Sequence, residues 1–440
     1  MILRKELLPL LGSLLLVSGL PASDEIPGAP QDHPIALVGG TVHTVSGETL
    51  ARGTVLFDKG RITAVGSQLK LPEGTEQIDV TGKHLYPALF DAYTNLGLVE
   101  INSIRATRDE SETGNLNPNV RAEVAVNPDS ELIPVARSNG VLLALTAPTG
   151  GILSGKSAVL QLDGWTWEDL TVKSEVGMHI RWPLMAPVSD WWVEKSTKDQ
   201  IQERDKQLEM LEEIFKQARL YMQSRQDPGH LRDLRLEAMI PVFERKQPII
   251  VSANTISQIQ AAVAFAVRHQ VRLIIFGGYD ALSCSALLKQ HDVAVIVGSV
   301  YRLPRRQDDD YDAPFTLPAR LHQAGIPFCI ASNGRFGASN VRNLPYHAAT
   351  AAAFGLPVEE AIKAITLSPA RILGVADRVG SLAVGKDATL IVSSGNPLET
   401  TSDVELAFIQ GRQVDLMNKH TRLWQKYRAK YRQQREAAGR

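Results

Sequence analysis

Apolar and polar positions alternate along this chain with more than one rhythm. Residues 34–85 carry short runs rich in β-branched residues, IALVGGTVHTV, GTVLFDKGRITAVG and EQIDVTGKHLY, separated by Gly-bearing turns. That texture predicts short strands. It returns near the other end in SLAVGKDATLIVSS and VELAFIQGRQV, which predicts a small β-domain built from both ends. Between these stretches the period switches. VLLALTAP, PIIVSA, VRLIIFGG, VAVIVGS and PFCIASN read as strands, and TISQIQAAVAFAVRHQ, ALSCSALLKQ and LPARLHQAG as helices. A long amphipathic helix precedes them, with Leu208, Leu211, Phe215, Ala218 and Met222 at helical spacing. Strand-then-helix alternation predicts a parallel sheet, and over about 290 residues it suits a (β/α)8 barrel better than an open sheet.

The two ends differ from this body. MILRKE is a short basic stretch, LLPLLGSLLLVSGL an apolar core, and Pro21, Ala22 and Ser23 lead into polar chain. This predicts an export signal over residues 1–23, and a mature chain in the periplasm or outside the cell. The apolar run is too short and interrupted for a transmembrane helix, and no later segment is a candidate. Expected divisions are a composite β-domain over 34–85 and 380–415, a barrel over 86–379 and a basic tail over 416–440. The tail, HTRLWQKYRAKYRQQREAAGR, reads as a solvated helix that could meet an acidic surface or a partner.

Composition adds constraints. With 44% hydrophobic residues the chain is ordinary globular material, and its net charge of −1 gives no bulk attraction to nucleic acid or acidic membrane. Cys284 and Cys329 lie in or beside apolar segments, which favours two buried free thiols over a disulfide. GGILSGKS, residues 150–157, matches the phosphate-loop spacing, but SAVLQLDGW behind it reads as a strand. Without a following helix there is no cluster of aligned amides for a phosphate, so the expectation is a Gly-rich hairpin.

YPALFDAYTNLGL, residues 86–98, has the rhythm of a metal-binding strand end yet contains no histidine. It resembles the first barrel strand of the amidohydrolase superfamily, usually apolar-Pro-Gly-apolar-Asp-Ala-His-x-His. RNLPYHAATAAAFGLPVEEAIKAITLSPARILGV resembles that family's last barrel helices, and DRVGSLAVGKDATLIVSSGNPL its closing β-segment. The resemblance spans about residues 34–415 and points to the exported, imidazolonepropionase-like branch. It implies a (β/α)8 TIM-like barrel with a small composite β-sandwich, and metal-assisted hydrolysis of non-peptide C–N bonds. One or two divalent ions would be held by His residues on strands one, five and six and an Asp on strand eight.

This chain departs from that pattern at each position that can be placed. The resemblance puts Tyr93 and Asn95 at the first-strand pair, Ser252 at strand five, Gly277 (or Gly278) at strand six and Asn333 at the Asp. It locates no fourth-strand ligand. Zinc takes His, Cys or carboxylate donors, whereas these residues offer neutral oxygens and a phenol of pKa about 10. No metal ligand or cofactor is therefore expected. His84, His269, His291, His322 and His347 read as surface or packing residues, and DDDYD at 308–312 as a solvated loop.

The loop after the first strand is unusually polar, and would cover the barrel mouth, where function sits on this fold. Asp109 and Glu112 in it are candidates for metal-free acid/base work. Arg335 would join Tyr93, Asn95 and Asn333 around a small polar organic ligand. Two functions follow: a degenerate amidohydrolase that binds a ligand or partner, or an active C–N hydrolase with a rebuilt or metal-free site, zinc-dependent only in that case. Pairing with a related active hydrolase, or with a second copy, is a third.

Overall fold

A computed structural model describes residues 25–189, 191–225, 227, 229–332 and 337–439. The export signal expected over residues 1–23 lies outside the described residues.

The first strands follow the β-branched runs: β1 (Ile35–His43), β2 (Thr49–Asp58), β3 (Arg61–Gly66), β4 (Glu76–Asp79) and β5 (His84–Pro87). The chain then enters the barrel through β6 (Leu89–Thr94) and β7 (Val141–Thr146). It continues with β8 (Leu153–Lys156), β9 (Ala158–Gln161), β10 (Thr171–Lys173), β11 (Met178–Arg181), β12 (Ile249–Ala253), β13 (Leu273–Gly277), β14 (Ala294–Val297) and β15 (Phe328–Ile330). It leaves through β16 (Leu390–Ser393), β17 (Val404–Ile409) and β18 (Arg412–Gln413).

β16 pairs antiparallel with β5, with Leu390 opposite Pro87. The two ends of the chain thereby share one eight-stranded sheet, in the order β18-β17-β16-β5-β1-β2-β3 with β4 on β1. Its core is equally shared. Phe57 meets Phe408 edge to face at 5.2 Å among the buried Leu37, Val55, Leu85 and Leu390.

The barrel is a variation on the expected one. β6 and β7 are parallel, and β11 through β15 form a parallel run. The third position is taken by the extended chain of β8 and β9, which runs antiparallel to both neighbours. β8 pairs with β11 and β9 with β7. This stretch holds GGILSGKS. It forms the Gly-rich hairpin with β7, Thr146 opposite Ala158, and no helix follows the motif. Lys156 is 4% exposed and bonded to Glu175 Oε1 at 2.7 Å, so it has no freedom to reach a phosphate.

Side chains alternate along the strands as a pleat requires. Ile250, Ile274 and Ile296 point inward, in one cluster with Phe90, Ala92 and Tyr93 of β6. Val251, Ile275 and Val295 point outward onto helices Thr197–Ser224 and Ile256–His269, where Leu211, Phe215 and Phe265 bury. The second helix starts in a capping box between Thr255 and Gln258 and ends where Gln270 turns left-handed, φ 58°.

β15 and β6 lie side by side, and a carboxylate joins them. Asp91 Oδ1 accepts from Ser332 N at 3.1 Å and Tyr93 N at 3.3 Å, and Oδ2 accepts from the Ser332 hydroxyl. Asp91 has no solvent exposure. Cys284 and Cys329 are buried free thiols, as the apolar context suggested.

Candidate functional site

On a parallel barrel the C-terminal strand ends collect polar groups. Here that end of the interior is filled by an aromatic cluster. The Tyr93 ring stacks on Phe276, centroids 3.7 Å apart and planes within 5°. The His179 ring meets Tyr93 edge-on at 5.3 Å, and the Ser252 hydroxyl bonds to the phenol oxygen. Tyr93 is 5% and His179 3% exposed.

Three ionisable groups here are shifted by one dominant cause. Burial pushes the Tyr93 phenol up to about 12, against a smaller pull from Ser252. Burial holds His179 down at about 3. It raises Asp91 from 3.8 to about 6, although the hydrogen bonds from Ser332 and Tyr93 favour the charged form. Each shift favours the neutral state, as a low-dielectric interior requires. His179 is neutral at ordinary pH, and its Nε2 has no hydrogen-bond partner among the described residues.

The sequence-expected residues divide. Tyr93 and Ser252 lie together. Asn95 is half-buried above them, its Nδ2 donating to Glu110 Oε2 at 2.7 Å, and Glu110 is paired with Arg108 at 2.6 Å. The polar loop thus does reach the mouth, through Glu110. Asp109 and Glu112 do not join this group. Both are exposed, and the Glu112 carboxylate turns back onto Thr113 N at 2.7 Å, which holds its pKa low. Neither can serve as acid or base for a buried cluster. Asn333 and Arg335 lie outside the described residues.

At strand six the residue that faces Tyr93 is Phe276, not Gly277. Gly277 has φ 95°, and a Cβ there would stand 2.5 Å from Asn254 Oδ1; at Gly278 it would stand 2.6 Å from Val295 Cγ1. A side chain at Gly278 would clash with Val295, and one at Gly277 would strain the backbone and displace the Asn254 amide. DDDYD is also more than a solvated loop, because Asp309 accepts from the Tyr279 hydroxyl at 2.5 Å and from Arg305 N and Arg306 N.

The residue that sequence reasoning missed is His179. It fills the fourth-strand place for which no candidate was found. Its segment, EVGMHIRWPL, is a four-residue strand with no β-branched run to mark it; the signal was a lone His between Met178 and Ile180.

The donors do not suit a divalent ion. No group of three or more His, Cys, Asp or Glu that could hold a metal occurs among the described residues. Among the described residues, Asp91 is committed to Ser332, burial keeps the Tyr93 phenol protonated, and His179 is the imidazole of the cluster. A groove of about 560 Å³ lies at the opposite barrel face, lined by Arg245, Arg272, His291 and Arg371, remote from this cluster.

Comparison with known proteins agrees with the architecture. The amidohydrolase family model matches residues 311–416. A crystal structure of an amidohydrolase from Thermotoga maritima MSB8 is 24% identical and superposes with a TM-score of 0.77, covering 87% of this chain and 99% of that one. The imidazolonepropionase of Micrococcus luteus is 38% identical over 100 residues, 22% of this chain and 24% of that protein. The fold is that of a solved amidohydrolase, and the stretch 311–416 carries the amidohydrolase family match. Its shorter sequence matches are to imidazolonepropionases. Amidohydrolase tasK of Hapsidospora irregularis is 22% identical over 395 residues, 79% of this chain but 38% of that protein. The chain thus spans well under half the length of the curated relatives it matches. The Tyr93 ring fills the space below the barrel mouth.

Proposed function

We propose that this chain keeps the architecture of the amidohydrolases, whose chemistry is hydrolysis of C–N bonds, is exported by its N-terminal segment, lacks metal-dependent catalysis, and acts as a ligand-binding or partner protein. The observation that carries the reading is the Tyr93 stack on Phe276, closed by His179 and Ser252. A catalytic metal site needs charged donors and an open coordination position for water. This cluster is neutral and buried, and it offers one imidazole. The polar groups above it, Asn95, Glu110 and Arg108, supply hydrogen bonds and charge for a small polar organic ligand at the mouth.

The test is turnover. The purified protein is assayed on amides, dipeptides and cyclic ureides, with added zinc and with a chelator. The expected result is no hydrolysis in either condition. Zinc-dependent turnover, abolished by chelation, would overturn the reading and establish an active hydrolase with a rebuilt site. Co-purification with a His-rich homologue would assign it as the non-catalytic partner of that enzyme.

A further inference from the structure

The last helix, Lys419–Ala438, stands apart from the body in both packing and charge. None of its twenty residues is buried. Its start is fixed: the Asn418 side chain caps the amides of His420 and Thr421, and Arg422 pairs with Glu25 at 2.9 Å. From residue 423 to residue 439 every residue is exposed. The helix carries seven Lys or Arg and one Glu, a net +6, while the whole chain is −1. The rest of the chain therefore carries −7, and the positive charge is concentrated on this one element.

The apolar residues are ordered too. At 3.6 residues per turn, Leu423, Trp424, Tyr427 and Tyr431 fall within one sector of about 100°. They are 43%, 58%, 49% and 55% exposed. Lys426 and Lys430 border this sector on one side, and Arg428 and Arg435 on the other. The cations lie over the rings: the Arg428 guanidinium is 5.0 Å from the Trp424 centroid, and Lys430 Nζ is 5.9 and 5.8 Å from those of Tyr427 and Tyr431.

We propose that helix Lys419–Ala438 is a docking element for an anionic lipid surface, lying in the plane of the interface. A protein groove selects helices by aliphatic anchors that become fully dry. This stripe is instead made chiefly of Trp and Tyr, whose rings are apolar and whose N–H and O–H tips stay wet. Flanking Lys and Arg can keep their stems on the apolar side and reach headgroup phosphates. The helix does not span: no helix among the described residues is long and apolar enough to cross a membrane. The body's net −7 would be repelled by the same surface, so the helix would hold the barrel at a distance.

Vesicle sedimentation of the full chain tests this, with three targets: phosphatidylcholine alone, phosphatidylcholine with phosphatidylglycerol, and soluble polyglutamate. Binding is expected to the phosphatidylglycerol vesicles, falling as salt rises. Lys426→Gln with Lys430→Gln should weaken it about thirtyfold, at about fivefold per basic residue. Trp424→Ser with Tyr427→Ser should weaken it at least about tenfold. These side chains are exposed, so both double variants should keep the parent's melting temperature. The apolar run at residues 7–20 would add the same attachment to both vesicle types, so the helix is read from the excess binding to phosphatidylglycerol vesicles and from the loss of that excess in the two double variants. Equal binding to neutral and anionic vesicles, or an unchanged aromatic variant, would overturn the proposal. Capture by polyglutamate without vesicle binding would overturn it in favour of an acidic polypeptide partner.

Discussion

Asp91 offers the sharpest quantitative test of the buried barrel end. Its carboxylate is fully buried and accepts three hydrogen bonds, from Ser332 N, the Ser332 hydroxyl and Tyr93 N. Burial outweighs those bonds and raises the group from 3.8 to about 6. A carboxyl whose folded pKa exceeds its unfolded value binds its proton more tightly when folded. It therefore favours the native state at low pH, and that contribution is lost as pH rises from about 4 through 6. Integrated from pH 4 to pH 7, the loss is about 2.5 kcal/mol. Asp91→Asn cannot ionise and keeps an acceptor for the two amides, while its NH2 can donate to the Ser332 oxygen. The variant's stability relative to the parent should therefore rise by about 2.5 kcal/mol between pH 4 and pH 7. Urea denaturation of both proteins at pH 4, 5, 6 and 7, followed by near-UV circular dichroism, reads this difference. A constant difference across that range would refute the reasoning, because Asp91 would then titrate alike in both states.

Other outcomes follow from the same packing. Tyr93→Ala should cost about 4 kcal/mol, because it empties a buried aromatic site, whereas Tyr93→Phe should cost only about 1 for the lost hydroxyl bond; urea midpoints separate the two. Arg137 is 4% exposed and bonds Asp163, Glu25 and the carbonyls of Leu162 and Asp415. Arg137→Met should lose about 3 kcal/mol, measured by denaturation, since it removes one of the two guanidinium partners of the buried Asp163 and leaves it Arg412. Cys284 and Cys329 should both be silent to a thiol reagent in the native protein and both react after unfolding, because burial raises each thiol.

Much of the architecture was legible in the sequence because hydrophobic period reports burial directly. The runs around Ile249, Leu273 and Ala294 gave parallel strands, and the paired β-branched stretches at both ends gave the shared sheet. The reversed third strand was not legible, because SGKSAVLQL reads alike in either direction. At the site, Tyr93 and Ser252 were identifiable from the family frame. Phe276 was not, since the family frame points to Gly277 or Gly278 on strand six, whereas the inward side chain lies at Phe276. His179 was lost because a four-residue strand carries too few positions to show its alternation. Glu110 stood among many loop charges, and only the fold shows which of them turns inward to Asn95.

The central claim is that Tyr93 and its neighbours replace a metal site, and metal content measures it most directly. The protein is purified, incubated with zinc, dialysed and analysed by inductively coupled plasma mass spectrometry. The account predicts tightly bound divalent metal well below one per chain, unchanged in Tyr93→Phe. One or more zinc ions per chain, retained through dialysis and removed only by a strong chelator, would contradict it.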